Sequence, residues 1–389
     1  QEKGLAPVFG RQYAKPFLRR FGRNTYVGGY IDHELQFTEG KDGSSAKEHT
    51  FDQHRLIPFI YSDVSDRVKF ATEIEFEHGG PDAPGGVIGQ SGSLSVEFAT
   101  LDFLITDWFN YRGGIILSPL GKYNLIHDSP LQDLTERPMV DRFIIPTTLS
   151  EAGMGFFGTV YPTEISKLDY EIYLVNGFQS LQDDGTQATS NPDNFIRSSE
   201  GSLQKDNNTN FAVVGRLAYS PFLGLEIGGS FHTGNVDERN RNRLTITALD
   251  WIYQKGAFEL VGEMAHAMYD RDGVVSTGEE VSDLIPGDSF GYYIEPRYHF
   301  MPGFLQDMAP KFFNEFSTFT GVVRYEAIDM GTFGDGEGKR RRTRLTPGIN
   351  YRYTEDTVFK AEYQFNWEHG RVLEETENNT LLFSVSSYF

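Results

Sequence analysis

The sequence predicts an all-β fold: a closed, transmembrane, antiparallel up-and-down barrel of about sixteen strands. Three observations carry this. Apolar and polar residues alternate with a period of two from about residue 25 to the end. The connections between alternating stretches are short and long in turn. No run approaches the roughly eighteen apolar residues that a spanning helix needs.

Composition fits the same class. Hydrophobic residues make up 39% of the 389 positions, too few for a helical bundle in a bilayer. A barrel strand meets lipid only at every second residue, so that fraction suffices. Phe 32 and Tyr 20 suit the two membrane interfaces, where a ring sits at headgroup level. The absence of cysteine excludes a disulfide framework, a thiol nucleophile and a Cys-based metal site. A net charge of -20 argues against nucleic acid as a partner, because phosphate neutralisation needs clustered Lys and Arg; acidic loops that aid solubility are the simpler account. The chain opens at Gln1 without a basic or apolar leader, and is expected to be a mature product whose signal peptide has been removed.

In order along the chain, strands are expected near 25–37, 51–62, 66–78, 92–105, 109–118, 151–161, 168–176 and 209–220. The second half adds 223–234, 243–254, 257–269, 289–300, 315–328, 340–354, 357–368 and 379–389. The third is the clearest: Val68, Phe70, Thr72, Ile74 and Phe76 alternate with Lys69, Ala71, Glu73, Glu75 and Glu77. Pro296 and Pro347 each remove a ladder donor and should mark bulges or interrupted pairing. Short turns such as Ser220–Phe222 and Lys255–Gly256 alternate with long polar loops at 38–50, 79–91, 119–150, 177–208, 270–288, 329–339 and 369–378. The short turns belong on the periplasmic rim, with both termini, and the long loops outside. The stretch 301–314 is an exception, long and partly apolar on the short-turn rim, either a short amphipathic helix at the membrane edge or a plain turn. Residues 1–24, basic through Arg11, Lys15, Arg19, Arg20 and Arg23, are assigned to a periplasmic segment, with a place in the lumen as the alternative, and 25–389 to a single barrel domain.

The last strand carries Leu381, Phe383, Val385, Ser387 and the terminal Phe389 on one face. This resembles the assembly signal of bacterial outer-membrane proteins and implies that membrane as the location, with its lipid and lipopolysaccharide as partners.

Between Ser95 and Gly158 the chain reads Val96-Glu97-Phe98-Ala99-Thr100-Leu101-Asp102-Phe103, then Asn110-Tyr111-Arg112-Gly113-Gly114 and Ser118-Pro119-Leu120-Gly121-Lys122-Tyr123-Asn124. It continues through His127-Asp128-Ser129-Pro130 and Arg137-Pro138 to Pro146-Thr147-Thr148 and Ser150-Glu151-Ala152-Gly153. This stretch, about a sixth of the chain, resembles the phosphate-selective porin O and P family and its wider relatives, trimeric sixteen-stranded channels. The resemblance implies a homotrimer, passive diffusion of small hydrophilic solutes or ions, and a third loop, 119–150, folded into the barrel. Gly28 and Gly113, taken as lipid-facing, would let neighbouring walls approach.

The loop's own residues support that placement. Leu131, Leu134, Met139, Val140, Phe143, Ile144 and Ile145 are more apolar than a solvent-exposed tip would carry. Inside the barrel, Lys122, His127, Asp128, Asp133, Glu136, Arg137, Asp141 and Arg142 would face the remaining aperture. A surface lid without selective consequence is the simpler alternative. Four acidic residues against three permanent cations do not make the converging Arg and Lys set that phosphate capture needs, so phosphate specificity is not carried over.

Inward parity sorts the remaining charges unevenly. Glu73, Glu75, Glu97, Asp102, Glu259 and Glu263 form an acidic wall, with Glu171 and Glu226. Arg297, Arg324, Arg342, Arg344, Arg352 and Lys360 form a basic one, with Arg340. Opposed across a pore, the two would make a transverse field; paired locally, they would be ordinary polar lumen positions.

Other patterns carry less. Gly153-Met154-Gly155-Phe156-Phe157-Gly158 fits a nucleotide-loop spacing but lies within an expected strand. No cofactor is implied; the acidic clusters Asp183-Asp184-Gly185 and Asp335-Gly336-Glu337 are the candidates for loop-bound Ca2+. A barrel enzyme of lipase or protease type is the alternative function. Its nucleophile–base pairs would have to come from His49-Thr50 or Phe231-His232-Thr233. A plugged structural barrel is a third possibility.

Overall fold

The computed structural model describes residues 15, 17–39, 48–79, 92–179, 195–206, 208–238, 240–270, 287–332, 339–369 and 378–389. A short strand, β1 (Arg19–Phe21), precedes sixteen long ones. The first eight are β2 (Thr25–Thr38), β3 (Glu48–Asp63), β4 (Val68–Glu77), β5 (Ser93–Leu104), β6 (Asn110–Leu117), β7 (Ser150–Val160), β8 (Lys167–Val175) and β9 (Ala212–Phe222). The others are β10 (Leu225–Asn235), β11 (Arg243–Lys255), β12 (Phe258–Tyr269), β13 (Asp288–Phe300), β14 (Thr318–Thr332), β15 (Lys339–Thr354), β16 (Thr357–His369) and β17 (Thr380–Tyr388). Every expected strand is present, with bounds displaced by a few residues at most.

Each strand pairs antiparallel with its sequence neighbour, and β17 closes on β2 with Tyr388 opposite Tyr30. Closure leaves no open edge, which is what allows strands to cross a bilayer with every backbone group satisfied. Both prolines interrupt pairing on one side only. Pro296 is in register with Leu260, while the β13–β14 ladder skips from Ile294 to Arg297. Pro347 faces Val323, while the β15–β16 ladder skips from Leu345 to Gly348.

Alternation sorts the two faces. On β9, Val214, Arg216 and Ala218 are buried while Leu217 and Tyr219 are exposed. Among the described residues no helix is long and apolar enough to cross a membrane, which says nothing against strands doing so. One irregularity matters for the interior. The β4–β5 register shifts where Glu73 faces Phe98 and Ile74 faces Val96, so Glu97 is an extra residue in a bulge. Glu97 and Phe98 are consequently both buried, which strict alternation forbids.

The main core lies inside the barrel. Leu120, Val140, Ile144, Ile145 and Leu149, from the β6–β7 connection, cluster with Val175, Val214, Ile246 and Tyr293 of the wall. The helical turns α1 (Val140–Phe143) and α2 (Phe195–Ser198) both contribute to it. Leu131 departs from expectation: it is 42% exposed, and the other six apolar residues singled out in this loop are buried.

The amino-terminal side also differs from a purely periplasmic segment. Leu18 packs against the inner cluster of Tyr30, Phe59 and Tyr388, and a Cβ on Gly28 would lie 3.3 Å from its Cδ2. Gly28 therefore faces inward beneath this segment and does not face lipid. Between β13 and β14 a short helix, α3 (Gly303–Met308), forms, and Phe304, Met308, Phe312 and Phe316 stand exposed around it.

Candidate pore constriction

The β6–β7 connection leaves and returns to the wall at one neck. Ser118 N–H donates to the Leu149 carbonyl (3.0 Å). The Asn124 amide donates to the Ser118 carbonyl (2.7 Å), and its own carbonyl accepts from Leu149 N–H (2.8 Å). From that neck the loop crosses to the far side of the barrel. Lys360 Nζ donates to the Ser129 carbonyl (2.8 Å), Arg352 Nη1 to the Pro130 carbonyl (2.6 Å) and Arg324 Nη2 to the Glu136 carbonyl (2.6 Å). In return, Met139 N–H donates to Glu326 Oε1 (2.7 Å), and Lys122 and Tyr123 N–H groups donate to Glu263 Oε2 (2.8 and 3.1 Å). Wall charges thus satisfy backbone groups that a buried loop cannot leave unpaired.

Asp133 is the most densely held point. Arg352 Nη2 and Asn350 Nδ2 each donate to its Oδ1 at 2.9 Å, and Arg297 Nη1 lies 3.1 Å from Oδ2. Burial alone would raise its pKa; the two guanidinium groups outweigh it and hold the carboxyl down at about 2.

The eight loop residues expected at the aperture divide into two groups. His127, Asp128, Asp133 and Asp141 are buried and do not line open space. His127 bridges from Glu97 Oε1 (3.2 Å) to the Asn124 carbonyl (2.9 Å). Asp141 is wholly buried, and burial first, then Glu263, push its carboxyl well above the ordinary range. Lys122, Glu136, Arg137 and Arg142 border what space remains. Lys122, ion-paired with Glu226, edges a cavity of about 280 Å3 that Lys167, Asp169, Glu171 and Arg216 also line. Arg137 and Glu136 border a narrower void of about 30 Å3 with Glu34, His54 and Arg55. The Arg142 side chain is 49% exposed, and its guanidinium and that of Arg342 both lie over the Phe143 ring.

The two walls are less segregated than the parity reading has them. All six acidic and all six basic positions sit on the inner face, and most of them meet an opposite charge nearby. On the acidic side Arg112 donates to Asp102 through Nε and Nη2 (both 2.7 Å), and Arg55 approaches Glu75 to 3.0 Å. Glu73 is paired with Lys15 (3.0 Å). On the basic side Arg324 and Arg297 share Glu295, Arg342 meets Glu368 (3.2 Å), and Arg344 donates to Asn366 (2.7 Å). Glu259 lies 3.4 Å from Arg297. Local pairing across strands is the observed arrangement. Arg55, Arg112 and Arg216 share the inward parity used for their acidic neighbours, so the signal for them was present. The place of α2, whose Arg197 donates to the Thr147 carbonyl (2.6 Å), had no comparable signal.

The remaining candidates resolve by position. His232 is buried with Nε2 on Glu151 Oε1 (2.9 Å), and the Ser118 hydroxyl bonds the other oxygen of that carboxylate. Glu151 therefore stands between histidine and serine, where a triad places the histidine between serine and carboxylate. His49 and Thr50 are exposed neighbours on β3. Within β7, a Cβ on Gly155 would fall 2.1 Å from the Ile172 carbonyl, so close backbone approach accounts for that glycine. The Arg340 side chain and both acidic clusters, Asp183-Asp184-Gly185 and Asp335-Gly336-Glu337, lie outside the described residues.

No family model matches the chain. An uncharacterised protein of Aquifex aeolicus is 28% identical over 312 residues, covering 77% of this chain and 66% of that protein, just under two thirds of its length. Among solved structures, OmpF of Salmonella typhi, in a complex with daunomycin, superposes with a TM-score of 0.62 at 11% identity, covering 96% of this chain and all of that one. An anion-selective porin from Comamonas acidovorans gives 0.58 at 12% identity, over 94% of this chain and 99% of that one. At such identities the likeness is one of fold, and the fold of this chain is that of a porin-like, sixteen-stranded antiparallel β-barrel.

Proposed function

We propose that the protein is an outer-membrane porin that lets small hydrophilic solutes or ions diffuse passively through a loop-narrowed, charge-lined pore. The observation that carries this reading is the β6–β7 loop pinned by its backbone to Arg324, Arg352 and Lys360 on the opposite wall. A barrel of this strand number holds water when nothing fills it, and a loop fixed across it sets the bore. The likeness to solved porins supports the same reading, as does the exposed apolar outer face, which includes Leu217, Ile227, Val323 and Phe359. The outer membrane, with its lipid and lipopolysaccharide, is the location this reading requires. A homotrimer and a place among the wider relatives of the phosphate-selective porins follow from the sequence resemblance. Lys122 is paired with Glu226 and Arg142 with Glu136, which does not favour phosphate, a ligand that needs several uncommitted donors.

The deciding experiment is reconstitution of purified protein into planar bilayers. Stepwise, ohmic current increments in potassium chloride are the expected result. A silent barrel that nonetheless shows heat-modifiable mobility on gels would mean a plugged structural protein, and hydrolysis of phospholipid or peptide substrates would mean an enzyme.

A further inference from the structure

One group of charges inside the barrel joins the amino-terminal segment to the loop and to the wall. Lys15 reaches the interior with its side chain only 4% exposed, and its ammonium lies 3.0 Å from Glu73 Oε2 and 2.5 Å from Asp128 Oδ1. The face of Phe59 stands 4.8 Å from the same nitrogen. Asp128 is oriented by the Tyr388 hydroxyl, which donates to its other oxygen (2.8 Å). The Tyr30 hydroxyl, wholly buried, has no hydrogen-bond partner among the described residues. Two carboxylates and an aromatic face around one nitrogen match what a primary ammonium requires: charge, hydrogen-bond acceptors and a cation–π surface.

Glu73, His127 and Asp128 also have donor atoms within 4.8 Å of one another, close enough to suggest a metal site. Both imidazole nitrogens of His127 are already engaged, one by Glu97 and one by the Asn124 carbonyl, so a metal ion would have to break one of these contacts to gain that ligand. The Phe59 face offers a metal ion nothing and offers an alkylammonium a great deal. The chemistry of the pocket favours the amine.

We propose that Glu73, Asp128 and the face of Phe59 form a binding site for a primary ammonium cation within the barrel, filled by the chain's own Lys15. Lys15 sits a few residues from β1, whose pairing with β2 (Arg19 opposite Val27) fixes the segment to the wall. A tethered ligand meets its site at an effective concentration in the millimolar range or above, so a soluble amine competes poorly while Lys15 is present. Its removal opens the site to linear alkylammonium ions.

The test reads the thermal midpoint of the heat-modifiable transition, which does not depend on whether the barrel conducts. K15A is expected to melt below the wild type. n-Butylammonium should raise the K15A midpoint by several degrees, and tetramethylammonium, which has no N–H, should raise it much less. Wild type should respond to neither, and K15A/D128N should lose the response. Because the chain contains no cysteine, K15C can be aminoethylated at that position alone. That product restores an ammonium at the length of lysine and should recover the wild-type midpoint, whereas carbamidomethylated K15C should not. Equal responses of wild type and K15A to butylammonium, or none in either, would overturn the assignment. So would stabilisation of K15A by Mn2+ in place of the amine.

Discussion

Asp133 and Arg352 meet inside the barrel with 2.9 Å between carboxylate and guanidinium, although 219 residues separate them in the chain. The contact joins the tip of the loop to β15, and with Arg297 it fixes how far the loop reaches across.

Its pH dependence follows from the sign of the shift. The Asp133 carboxyl is depressed from 3.8 to about 2, so its contribution is fully present above the unfolded value and is lost as pH falls through the folded one. Conductance is expected to stay flat from neutral pH down to about pH 4 and to rise as pH approaches 2. D133N should show the wider conductance throughout. A D133N channel with wild-type current across that range would remove this contact from the constriction.

Charge reversal at the half-exposed Arg142 should shift ion preference toward cations. The effect should be larger in dilute salt, where the Debye length is about 30 Å at 0.01 M against about 10 Å at 0.1 M. Reversal potentials in a potassium chloride gradient measure it. R352E behaves differently, because it breaks the pairing with Asp133 and releases the loop, so its main effect should be on current amplitude.

Deleting residues 131–142 removes the tip and all of α1 except Phe143, but no wall ladder bond. The variant should fold, retain heat-modifiable mobility and carry a larger single-channel current. An unchanged current would place the loop outside the conducting path.

Phe195 is 1% exposed and meets Tyr269 edge-on at 5.4 Å, within the core that fills one side of the lumen. F195A should cost about 3–5 kcal/mol of local packing. The closed wall is independent of that side chain, so limited proteolysis should cut the 177–208 segment while the barrel remains resistant.

The barrel itself was legible because strand parity is a local property. Alternation such as that from Val68 to Glu77 survives any error in pairing, and the exchange of short turns with long loops gives topology without register. That the loop packs on an apolar surface could be read from Val140, Ile144 and Ile145, which cluster with wall residues such as Val214 and Ile246. Which of its charges meet space and which meet the wall could not. Asp133 and Arg142 look alike in sequence, and only contacts with residues 297–352 separate a buried anchor from a half-exposed arginine. The opposed walls failed for a related reason: Arg112 neutralises Asp102 through register, which composition does not encode. The Glu97 bulge and the inward turn of Leu18 are irregularities with no periodic signature.

The closure of β17 on β2 is tied to the loop. The wall residues that hold the loop run from Glu263 on β12 and Arg297 on β13, through Arg324, Asn350, Arg352, Lys360 and Glu362, to Ser384 and Tyr388 on β17. All of these strands follow the loop in the chain. Tyr388 belongs to both structures: it stands opposite Tyr30 in the seam, and its hydroxyl reaches Asp128. A change at that one residue touches the barrel's last joint and the loop's hold together.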